Sequence, residues 1–123
     1  GAVEFASSAF LLPGLESRLF LLRTNDTIDE VDIALTRDSV VVAGDVIRRL
    51  GAPCYTAPIG TTLVAKYQHL AVFFSMEQAG PAWVLKPTSR VIEIRLLGGE
   101  ARSCLEINNK TIFAWRGFTR YGD

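Results

Sequence analysis

From residue 61 to residue 108 the sequence is a succession of short apolar runs separated by turn residues, and this punctuation limits the fold more than any other feature. Ile92, Ile94 and Leu96 alternate with Glu93 and Arg95, Gly98-Gly99 intervenes, and Ser103, Leu105 and Ile107 then alternate with Arg102, Cys104 and Glu106. A two-residue period places successive side chains on opposite faces of a strand. Two such runs around a Gly-Gly pair read as a hairpin. Earlier, Val31, Ile33 and Leu35 alternate with Asp32, Ala34 and Thr36, and Arg37-Asp38-Ser39 breaks the run before Val40-Val41-Val42 resumes it.

Residues 3–12 form a first extended stretch that ends at Pro13-Gly14, and residues 16–23 hold Leu19-Phe20-Leu21-Leu22 before the polar turn Thr24-Asn25-Asp26-Thr27. Residues 45–51 fit either one helical turn closed by Gly51 or a strand running into the next loop. Residues 51–60, with Pro53, Pro58 and a glycine at each end, read as the longest loop. In residues 61–80, Leu63, Tyr67, Leu70 and Phe74 fall on one helical face. The aromatic and β-branched content favours two strands instead, 62–66 and 69–77, with a tight turn at Tyr67-Gln68. Residues 82–85 read as a short strand, Lys86-Pro87-Thr88-Ser89 and Asn108-Asn109-Lys110 as turns, and residues 111–115 as a last strand.

These elements predict a mostly β fold, a β-sandwich or jelly roll of about eight short antiparallel strands. A single domain over residues 1–115 is expected, with residues 116–123 as a polar, aromatic C-terminal tail. At 123 residues with 49% hydrophobic and 21% charged content, the chain can bury a core without metal or disulfide staples. Gly1 reads as an added residue, so the sequence is expected to be a domain cut from a longer protein.

Thirteen basic and thirteen acidic residues leave no net charge, which argues against a dedicated nucleic-acid surface. No apolar run reaches the ~18 residues of a membrane span, so no membrane partner is expected. Cys54 and Cys104 are too far apart for a CxxC redox pair or a zinc knuckle. They can form one disulfide, but two reduced thiols in an intracellular protein are expected.

His69 is the only histidine, and a Ser-His-Asp or Cys-His site needs one as its base. Its place in an apolar run reads as a core or strand-face residue, so no catalytic residue, no cofactor and no metal site is expected. Asp26, Asp29, Glu30 and Asp32 form the tightest acidic group, a solvated turn or a small patch for a basic partner. Glu93 with Arg95, and Arg102 with Glu106, read as cross-strand pairs. Trp83, Trp115 and Phe113 read equally as core or as partner anchors, whereas Phe118 and Tyr121 are harder to place in a core. On the strand through Leu70 and Met76, Phe73 with Ala71 and Ser75 lies opposite Val72 and Phe74. A two-layer sandwich covers only one of those faces. The Phe73 face is therefore the candidate interface of a homo-oligomer.

Tyr67-Gln68-His69-Leu70-Ala71-Val72, Glu77-Gln78-Ala79-Gly80-Pro81, Val91-Ile92-Glu93-Ile94, Gly98-Gly99 and Ser103-Cys104-Leu105-Glu106-Ile107 follow in an order that resembles the C-terminal strands of nucleoplasmin-like domains. The nearest likeness is to the version in plant HD-tuin proteins and at the N-terminus of nuclear immunophilins. Phe5 with Phe10-Leu11-Leu12-Pro13-Gly14 is similar to the opening of those domains, although Ala6-Ser7 stands where they have an aromatic-glycine pair and no long acidic tract follows. The resemblance implies an eight-stranded jelly roll in a pentameric ring, a non-enzymatic histone chaperone or nucleolar scaffold. It implies basic partners such as histones and a nuclear or nucleolar location. Two other classes stay open: a monomeric interaction module for a peptide or protein, and a small-ligand or enzymatic jelly roll, against which the single His69 counts.

Overall fold

Two three-stranded meanders are joined edge to edge by one late strand. The computed structural model describes residues 2–6, 17–24, 27–35, 40–97 and 114–121, with side chains from Val31 onward. The strands are β1 Ala2–Ala6, β2 Ser17–Thr24, β3 Thr27–Leu35, β4 Tyr55–Ile59, β5 Thr62–Lys66, β6 Leu70–Ser75, β7 Glu77–Ala79, β8 Ala82–Val84 and β9 Val91–Leu97. One helix, α1, spans Ala43–Leu50. Seven strands form an antiparallel sheet in the order β1-β2-β3-β9-β6-β5-β4, and β7 and β8 make a separate hairpin. The chain is mostly β, as expected, and its antiparallel sheets are consistent with a β-sandwich.

The period-2 reading of residues 61–80 holds, since β5 and β6 are strands joined around Tyr67. Leu63 pairs with Phe74 and Ala65 with Val72, which puts these four on one face. β9 continues that face with Ile94 opposite Val72 and opposite Ile33 of β3. Leu63, Ala65, Val72, Phe74 and Val91 are buried there together with Leu35, Met76, Leu85 and Tyr121. Ala43 and Val46 of α1 belong to the same cluster, so the helix lies on this side of the sheet.

Residues 45–51 resolve as helix. No side chain caps the start of α1; Ala43 N–H donates to Ser89 O at 2.7 Å and Gly44 N–H to Pro87 O at 2.8 Å. The 86–89 turn thus satisfies two of the backbone donors that a helix start leaves unpaired. Gly44 gives that turn room, because a Cβ there would stand 3.0 Å from Pro87 O and the turn would have to give by a few tenths of an ångström. Val40 is 78% exposed, and Val42 makes only an isolated bridge to Arg90, so residues 40–42 do not resume a strand.

Three expectations are corrected. Residues 51–60 are not all loop, because β4 occupies the second half. Pro58 is tolerated in it since β4 is the last strand of the sheet, where a missing N–H breaks no inner ladder. Residues 116–121 are not a tail outside the domain. Tyr121 is 3% exposed, its N–H donates to Trp83 O at 3.2 Å, and Leu85 N–H donates to Thr119 O at 2.9 Å. Cys54 is disulfide-bonded rather than a reduced thiol. The turn Gly98-Gly99, the strand expected over 103–107, residues 111–113 of the strand expected over 111–115, Arg102, Glu106 and Phe113 lie outside the described residues, as do Pro13-Gly14 and Asp26; Ala114 and Trp115, the described end of that last expected strand, are not strand.

Candidate functional site

On the face of the sheet opposite the core, two neighbouring rungs run across four strands. One reads Lys66, Ala71, Arg95 and Asp32 on β5, β6, β9 and β3; the next reads Val64, Phe73, Glu93 and Ala34. Between Phe73 and Phe74 the pairing with β9 slips by one residue, so Phe73 faces Glu93 while Phe74 faces Val91. This bulge leaves Ile92 without a partner and turns it outward beside Glu93. Ile59, Thr62, Phe73, Ile92, Glu93 and Arg95 line a cavity of about 310 Å³.

Arg95 organises the site. Its Nε donates to Glu93 Oε2 at 2.8 Å and lies 3.8 Å from Asp32 Oδ1, while its guanidinium carbon sits 4.5 Å from the centre of the Phe73 ring. The Glu93 pair thus runs along one strand, and the cross-strand partner of Arg95 is Asp32. Arg95 is 39% exposed, so each ion pair stabilises the fold by less than ~1 kcal/mol. Their consequence is geometric: two carboxylates and one ring hold the Arg95 guanidinium over Phe73. Asp32 Oδ1 is buried and makes no hydrogen bond, which leaves the Asp32 carboxylate less than fully satisfied.

The expected interface residues share this side. Phe73 is half-buried at the cavity, Ser75 is half-buried on the same strand face, and Ala71 is 6% exposed. Of the expected acidic patch, Asp32 is committed to Arg95. Asp29 and Glu30 lie in β3, and Asp26 is outside the described residues. Sequence reading missed Ile59, which fell in an expected loop, and Ile92, which alternation alone assigns to the Ile94 face.

Beside the site, Lys66 is 8% exposed and its Nζ donates to Tyr67 O at 2.6 Å. Burial pushes the Lys66 ammonium below its ordinary pKa. The Tyr67 hydroxyl donates to Gly51 O at 2.8 Å, tying the end of β5 to the end of α1, and burial pushes its pKa up to about 12. His69 is exposed in the β5–β6 turn, where its carbonyl accepts from Leu97 N–H at 2.8 Å. Among the described residues no group of three or more His, Cys, Asp or Glu could hold a metal ion, and no helix is long and apolar enough to cross a membrane.

No family model matches this sequence, and no curated protein or solved structure matches it either.

Proposed function

We propose that this chain is a non-enzymatic, oligomerising protein-binding domain that docks through the outer sheet face around Phe73. The observation that carries this reading is the apolar cavity itself. Phe73, Ile92 and Ile59 meet on the face that the core does not use, and Ile59 is 64% exposed. An apolar floor with a charged rim is the usual anatomy of an interface. Glu93 and Arg95 supply that rim, and a rim bearing both signs suits contact with a second copy of itself.

The resemblance to nucleoplasmin-like domains would make the assembly a pentameric ring with basic proteins such as histones as partners. Asp32 gives that partner reading little support, because Arg95 already engages its carboxylate. The Cys54 disulfide favours an oxidising compartment over a nuclear one, since cytosolic and nuclear thiols are kept reduced. Self-association is therefore the part of the reading we retain. Support for a non-enzymatic role comes from His69, the single histidine, which is exposed in the β5–β6 turn and does not line the Phe73 cavity.

Size exclusion with light scattering tests the proposal. A mass that is a multiple of 13.5 kDa and persists in about 1 M salt, where surface charges are screened, is the expected result. A single-copy mass at working concentration would overturn it.

A further inference from the structure

Thr24 and Thr27 are the last register pair of β2 and β3, which leaves two residues, Asn25 and Asp26, to connect the strands. Asn25 and Asp26 lie outside the described residues, whereas the strands on either side of them do not. With Thr27 they spell Asn-Asp-Thr, an asparagine followed two places on by a hydroxyl residue with no proline between. This is the acceptor triplet for N-linked glycan transfer. The sequence repeats the pattern at Asn109-Lys110-Thr111.

A triplet is a short pattern, and two independent observations give this one its meaning. The first is redox state. Cys54 is disulfide-bonded, and disulfides form and persist in the secretory pathway and outside the cell, the route along which N-linked glycans are added. The second is position. An oligosaccharide is bulky and needs a connection at the surface, which a hairpin end supplies. From Thr27, β3 runs five residues on to Asp32, whose rung holds Arg95, the member of the Phe73 cavity nearest by register. About 17 Å of strand, at ~3.4 Å per residue, therefore separates the connection from that cavity. A glycan there leaves the Phe73 face open.

We infer that Asn25 is a modification site that carries an N-linked oligosaccharide. Its carboxamide nitrogen bonds to the anomeric carbon of an oligosaccharide borne on a polyprenyl diphosphate. The bond from that carbon to the diphosphate oxygen breaks, the polyprenyl diphosphate leaves, and the carboxamide gives up one proton to a base of the transferase. Thr27 supplies the hydroxyl that the transferase reads beside the acceptor. The site is distinct from the Phe73 face and does not depend on self-association.

Digestion with peptide-N-glycosidase in heavy-oxygen water, followed by mass spectrometry of the intact chain's peptides, tests the inference on protein taken from the cells that make it. The enzyme removes the oligosaccharide and turns its acceptor into an aspartate carrying the heavy oxygen. Residue 25 should carry that label in the treated sample and not in the untreated one. Thr27→Ala, produced in the same cells, should abolish the label, and Thr27→Ser should keep it because serine offers the same hydroxyl. Transfer acts on the chain as it is made, so a folding defect in Thr27→Ala does not by itself erase the label. Asn25 recovered bare throughout the wild-type protein would overturn the inference. So would a label at residue 25 that survives Thr27→Ala.

Discussion

Replacing Phe73 with Glu separates a docking face from ordinary sheet packing. In a single copy the change removes a half-buried ring, worth about 1 kcal/mol of apolar burial, and the cation–π contact of Arg95, worth about 0.5–1 kcal/mol. It also sets a carboxylate directly opposite Glu93, the register partner of Phe73, at a cost of up to about 1 kcal/mol. The fold should therefore lose about 2–3 kcal/mol, read as a melting point lower by about 10 °C. If Phe73 also anchors an interface, each contact between copies loses a further 2 kcal/mol or more, because a charge is then buried without a partner. Light scattering at several concentrations should then show a folded single copy. Phe73→Leu, which keeps apolar volume and loses only the ring, should retain the assembly. A folded Phe73→Glu protein with the wild-type mass would refute the assignment of this face.

Cys54→Ser should lower stability by about 3–4 kcal/mol, the chain-entropy figure for a loop of about 50 residues; Cys104 is the only other cysteine in the sequence. Chemical denaturation with and without reductant measures it, and a loss below about 1 kcal/mol would contradict the expectation. Gly44→Val should cost about 1–3 kcal/mol, because its branched side chain meets Pro87 where even a Cβ stands at 3.0 Å from the carbonyl oxygen. Thermal melts would read this as a loss of several degrees, and an unchanged melting point would show that the 86–89 turn yields freely. The Tyr67 hydroxyl is raised on folding to about 12, so its contribution is fully present below about pH 10 and is lost as pH rises through 12. The stability advantage of the wild type over Tyr67→Phe should shrink between those values. Lys66, shifted the other way, is present in both proteins and cancels in the difference. A constant difference would refute the assignment.

Local alternation made β3, β5, β6 and β9 legible, since a strand buried on one face writes its period into the sequence whatever lies above it. The turn at residues 86–89 was legible for a similar reason, as Pro87 presets the backbone from its own ring. The candidate interface followed from that period too: Phe73, Ala71 and Ser75 fall on one side of β6 because strand geometry allows nothing else. What surrounds Phe73 was decided elsewhere. Ile92 faces the cavity only because β9 must pair with β3 on one side and β6 on the other, and the bulge absorbs the mismatch. β4 was hidden because the two prolines and two glycines of residues 51–60 read as loop, and only its place at the sheet edge makes Pro58 harmless. Residues 116–121 look like a polar tail, yet the core cluster gives Tyr121 a buried seat and β8 a partner for its N–H. The Cys54 disulfide was equally undetermined, because distance along the chain does not measure distance in space. The sequence by itself determined which segments could be strands and which way their side chains alternate, since those depend on neighbours one or two residues away. Only the tertiary structure decided which strand sits at an edge, which residue a bulge turns outward and which tail residue is captured. Each of these depends on partners brought from distant parts of the chain.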